Sequence, residues 1–259
     1  MIAELNALAP QVTALLAEGF LVLLRIGAMM AVLPAFGERA VPMRIRLAVA
    51  VGFTLVVAPV VAADWPQAVP GPMRFAAFAV TESIVGVALG LTLRLFVLAL
   101  QTAGTIAAQS TSLSQILGGA AVEPMPAIGH LLVISGLALA VLAGFHLRIA
   151  EWMILSYEVF PPGRLPDAAL ISEWGMQRVA QTFALAFVLA APFVIASLIY
   201  NLTLGVINKA MPQLMVAFVG APVITAGGLL LLFLSAPLLL EVWVGALDRF
   251  VANPYGAGG

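Results

Sequence analysis

Long apolar runs, separated by short breaks rich in proline, glycine or charge, set the pattern of this chain. Six runs stand out, at 12–33, 45–63, 75–100, 127–147, 179–207 and 214–240. A helix crossing a bilayer needs about 20 mostly apolar residues, and each run meets or approaches that length. The fifth and sixth hold no charged residue, whereas Glu18 and Arg25 interrupt the first and Glu82 and Arg94 the third. A buried helix of a soluble domain could imitate one such run, but not six of them in 259 residues. The pattern predicts an all-α, polytopic membrane protein of about six apolar helical segments.

The breaks carry their own signals. Pro34, Gly37 and Pro42 close the first run, and Asp64, Trp65, Pro66, Pro70, Gly71 and Pro72 mark the second turn. Segment 148–178 combines seven charged residues with Pro161, Pro162 and Pro166. It is expected to be a polar connecting segment in water, with Trp152, Tyr157 and Trp174 suited to the headgroup interface. Residues 253–259 read as a flexible tail. Pro192, Pro222 and Pro237 fall inside apolar runs, where each removes a backbone donor and kinks its helix. Gly86-x-x-x-Gly90 is a small-residue face of the kind that lets two helices approach closely.

Composition narrows the class. Hydrophobic residues make up 63% of the chain and charged residues 9%, with mean hydropathy +1.13. A soluble domain carries about 25% charge, so a soluble enzyme, a disordered tail and a nucleic-acid binder are excluded together. Eleven basic and twelve acidic residues leave a net charge of −1, and no basic face awaits an anionic polymer. The absence of cysteine removes disulfides, thiolate metal sites and thiol nucleophiles. A single integral membrane domain over 1–259 is expected. Its first span should be retained, because 1–10 lacks the basic start of a cleaved signal. Basic residues divide four against five between the two sets of loops, so the positive-inside rule does not fix orientation. The cluster at 38–46 favours its own side as cytoplasmic, with both ends outside.

Catalytic chemistry is not legible. The motifs of serine hydrolases, zinc proteases, P-loop NTPases and dinucleotide enzymes are missing, and no catalytic, cofactor-binding or metal-ligating residue is assigned. His130 and His146 lie near opposite ends of the fourth run, more than about 20 Å apart on one helix, too far to share a metal. The intramembrane charges are more informative, since such groups are costly in lipid and face protein or water. Glu18 and Arg25 are about 10 Å apart along one helix, so their partners must come from elsewhere. Arg25 with Glu82 is a candidate pair, read either as a structural ion pair or as the wall of a polar conduit.

Segment 101–126 has no Lys or Arg and is rich in Gln, Ser, Thr, Gly and Ala. It is too polar for lipid and too apolar for an ordinary loop. It reads either as a plain internal connecting loop or as a movable element closing a pore. In the second reading the closing residues are Gln109, Ser110, Thr111, Ser112, Leu113, Ser114, Gln115, Ile116 and Leu117, with a hinge at Gly118 and Gly119. Segment 208–213, with Asn208, Lys209, Pro212 and Gln213, reads as a tight turn between the two uncharged runs. Lys209 is the one lysine of the chain and serves either as a topological anchor or as part of a partner contact.

Several blocks of sequence resemble one family. LLRIGAMMAVLPAFGERAVPMRIRLAVAVGFTLVVAP (23–59), SIVGVALGLTLRLFVLALQTAGTIAAQ (83–109), GFHLRI (144–149) and YNLTLGVINKAMPQLMVAFVGAP (200–222) are similar, in order, to the signatures of the FliR family. These are the R subunits of flagellar type III export gates, with relatives in injectisomes. The resemblance covers essentially the whole chain, with 101–126 the loosest match. It implies kinked helical hairpins, a FliP-like part followed by a FliQ-like part, and assembly with FliP and FliQ into a channel for unfolded flagellar proteins. It further implies FlhB at the base, where 208–213 would lie, FlhA nearby, and a place in the inner membrane at the basal body. The alternative class is a secondary transporter of a small solute. That class should show paired repeats, and 101–126 has no counterpart in the C-terminal half.

Overall fold

A computed structural model of the chain describes residues 2–34, 36, 41–62, 65, 71–111, 126–211 and 216–254. The described residues form helices and short connections, without strands. In chain order the helices are α1 (Ile2–Val32), α2 (Met43–Val61), α3 (Pro72–Thr111), α4 (Ala127–Leu142), α5 (Phe145–Val159), α6 (Ala168–Ala210) and α7 (Val216–Ala252). Five of them are long and apolar enough to cross a membrane, and the broken pair α4 and α5 would make a sixth.

The chain forms two compact units, one of Met1–Leu95 with Ala143–Arg178 and the other of Phe96–Leu142 with Val179–Gly259. In the first, α1 buries Leu21, Val22, Ile26, Met29 and Met30, a stripe at helical spacing, and Leu33 just after the helix is buried with them. The small-residue face of α3 receives it. A Cβ on Gly86 would run into the carbonyl oxygen of Arg25, and one on Gly90 would come within 2.7 Å of the Met29 carbonyl oxygen. The α2 residues Ala50, Thr54, Val57 and Val61 are buried, and Thr54 returns its hydroxyl to the Ala50 carbonyl at 2.7 Å. In the second unit, Gly104 of α3 meets Gly129 of α4 too closely for any side chain. Gly136 lies beneath Leu100 and the Trp243 ring, and the Trp243 indole N–H donates to the Phe96 carbonyl at 2.8 Å.

Four boundaries differ from those read in the sequence. Helix α3 continues through Thr111, so the first part of the 101–126 stretch is helix rather than loop. The fourth run is not one helix. It breaks after Leu142, and Gly144 takes a left-handed φ of 81° before α5, so His130 and His146 stand on different helices. Segment 148–178 is mostly helical, belonging to α5 and the first turns of α6. Its polar residues disguise a buried stripe of Ile149, Trp152, Met153, Ser156 and Tyr157, spaced i, i+3, i+4, i+7 and i+8 as an amphipathic helix requires. Trp152 and Tyr157 are therefore core residues of the first unit and not interfacial anchors. Helix α7 runs past the sixth run because Trp243, Leu247 and Phe250 stay buried beyond the charge at Glu241.

Candidate functional site

The Arg25 side chain leaves α1 from within its buried stripe, so its charge enters the interior of the first unit. It meets Glu82 of α3, with side-chain exposures of 2% and 0%. The pair is bidentate: Nε donates to Oε2 at 2.6 Å and Nη2 to Oε1 at 3.1 Å. Nη2 also donates to the Phe160 carbonyl at 2.9 Å, and Nη1 to Ser156 Oγ at 3.2 Å. The Ser156 hydroxyl in turn donates a hydrogen bond to the Met153 carbonyl at 2.6 Å. Four of the five guanidinium N–H groups are thus engaged. Glu82 Oε1 additionally accepts from the Gly163 N–H at 3.3 Å.

Aromatic rings close the cluster. The Tyr157 ring lies 3.7 Å from the guanidinium carbon, at cation–π distance. Trp65 packs against both Tyr157 and Phe78, with ring centroids 6.3 and 5.9 Å apart. An ion pair this deeply buried loses two hydration shells, and only saturated hydrogen bonding recovers the cost. The geometry matches that requirement and leaves the pair facing protein.

The other singled-out residues are placed separately. Arg94 is half-buried and sets Nη1 3.4 Å from the carbonyl of Val32, the last residue of α1, where positive charge complements the helix dipole. Glu18 is half-buried on α1. Gln109, Ser110 and Thr111 form the final turn of α3, and the Ser110 and Thr111 hydroxyls bond to Ile106 and Ala107 carbonyls at 2.7 and 3.0 Å. Thr111 also presses on α7, since a Cβ on Gly228 would lie 2.6 Å from its methyl group. Ser112, Leu113, Ser114, Gln115, Ile116, Leu117, Gly118 and Gly119 lie outside the described residues. Asn208 and Lys209 are exposed in the last turn of α6, while Pro212 and Gln213 lie outside the described residues. Near that end, the Tyr200 hydroxyl donates to the Gly220 carbonyl at 2.6 Å, joining α6 to α7. Among the described residues no three His, Asp or Glu side chains converge as a metal site would need.

Ser156, Tyr157, Trp65, the Phe160 carbonyl and the Gly163 N–H were not singled out as partners of the charges. The signal for the first two was the buried stripe of α5. The backbone groups left no mark in the residue types.

Apolar helices of this length, with the Arg25–Glu82 pair enclosed by protein, define a polytopic helical membrane protein. Residues 16–250 match the profile of a family described as Bacterial export proteins, family 1. The chain is 34% identical to the Flagellar biosynthetic protein FliR of Caulobacter vibrioides, over 89% of this chain and 91% of that one. It is 29% identical to the protein of the same name from Escherichia coli, over 84% and 83% of the two chains. The Aquifex aeolicus protein of that name is 30% identical, over 83% of each. The chain belongs to this bacterial export family, within its FliR group, and is a membrane component of flagellar protein export.

Proposed function

We propose that the chain is a core subunit of the flagellar type III export gate, assembling with FliP and FliQ into the channel for unfolded flagellar proteins. Family membership supports the process, and apolar helix length supports assembly with other subunits. Helix α6 has 43 residues, about 65 Å at 1.5 Å per residue, against a hydrocarbon layer about 30 Å thick. Its exposed apolar residues run from Leu170 (66% exposed) to Val206 (70%). Lipid covers about half of that length, and neighbouring subunits are the natural cover for the rest. Helices α3 and α7, of 40 and 37 residues, pose the same demand.

In this reading the complex sits in the inner membrane at the basal body, with FlhB against the 208–213 turn and FlhA nearby. The subunit's part is to shape and close a conduit rather than to catalyse a reaction. A tagged full-length chain should co-purify FliP and FliQ and restore secretion of flagellar proteins to cells lacking the gene. Purification alone, together with saturable binding of a small solute, would favour a transporter instead. Lys209→Glu should reduce secretion and FlhB recovery together while FliP and FliQ remain bound. Unchanged secretion and FlhB recovery would remove the contact from the turn.

A further inference from the structure

The buried ion pair reaches beyond the two helices that carry it. Helix α5 ends at Val159, and its last carbonyls have no partner within the helix. The following turn contains Pro161 and Pro162, which have no N–H to offer. The Phe160 carbonyl is instead satisfied by Arg25 Nη2, and the Gly163 N–H by Glu82 Oε1. Gly163 has φ +70°, and a Cβ there would collide with the Phe78 ring of α3. The turn therefore lies with bare backbone against α3, and two of its polar groups are held by one ion pair.

We propose that Arg25 and Glu82 are positioning residues that lock the 160–163 turn onto α1 and α3. This role is distinct from stabilising the unit as a whole. Buried ion pairs are often replaceable by apolar residues of similar volume with little loss of stability. The replacement cannot supply a donor to Phe160 or an acceptor to Gly163. Removing both charges together should thus leave the helices packed and release the turn.

Trypsin provides the readout, because Arg164 is exposed at the end of the turn, and cutting there needs local opening of the backbone. The full-length chain, in membranes solubilised with its partners, is digested as wild type, as R25M/E82M, and as Gly163→Val. The Gly163→Val chain cannot dock the turn and fixes the rate of an open one. Cutting between Arg164 and Leu165 in R25M/E82M should rise roughly ten-fold toward that rate, as expected for a local opening equilibrium. Cutting at other arginines should not change. A wild-type rate in R25M/E82M beside rapid cutting of Gly163→Val would overturn the lock. Cutting throughout R25M/E82M would overturn it too, since the pair would then hold the whole unit. Neither outcome depends on whether the chain exports protein.

Discussion

Gly86 and Gly19 are both helical glycines in apolar runs, yet the structure gives them opposite tolerances. A side chain at Gly86 meets the Arg25 backbone, whereas nothing lies within 4 Å of a Cβ at Gly19. Gly86→Val must push α1 away from α3, at a cost of about 3 kcal/mol, the upper end for overpacking. Gly19→Ala should be tolerated, and by helix propensity it gains up to about 1 kcal/mol. Thermal denaturation of the assembled complex would compare them; equal midpoints would remove the close crossing. Arg25→Ala should cost about 3–5 kcal/mol, because Glu82 is left buried without its partner. Its loss should exceed that of R25M/E82M, measured as full-length chain retained in membranes. The pairing itself was legible in the sequence, because two charges in apolar runs each need a partner. The rest of the cluster was hidden: backbone groups carry no sequence signature, and most of α5, from Arg148 on, lay inside a segment that looked like a linker.

At the scale of elements, the six apolar runs located the helices but not their ends. The third run stops at Leu100 if polarity is the guide. Ala99, Ala103 and Ala107 nevertheless remain buried at a spacing of four, and Thr105 returns its hydroxyl to the Gln101 carbonyl at 2.8 Å. A hydroxyl satisfied within its own helix does not oblige the chain to leave it. Gln109, Ser110 and Thr111 are thus held in helix, with Thr111 against Gly228, and a closing role for the stretch is a proposal that rests on 112–119. A plug must be removable, so it should hold by many weak contacts, which suits a stretch without Lys or Arg. Deleting 112–119 should raise ion leakage through the assembled gate without disturbing assembly. Conductance measurements, or growth at high salt, would detect it. Wild-type tightness in a complete complex would place the closure in another subunit.

Helices α3, α6 and α7, of 40, 43 and 37 residues, are each longer than the roughly 20 residues that cross a bilayer. Phe183, Phe187, Leu198 and Leu202 of α6, with Phe233 and Leu234 of α7, are each more than half exposed. Detergent covers a belt of roughly membrane thickness, about 30 Å, and leaves the remaining length of such helices in water. Exposed apolar patches of that extent cause association. The full-length chain produced without FliP and FliQ should therefore aggregate on extraction, and co-production of both should yield a discrete complex. Size-exclusion chromatography with light scattering separates these results. A stable, monodisperse monomer that restores secretion on its own would show that the exposed faces need no protein cover.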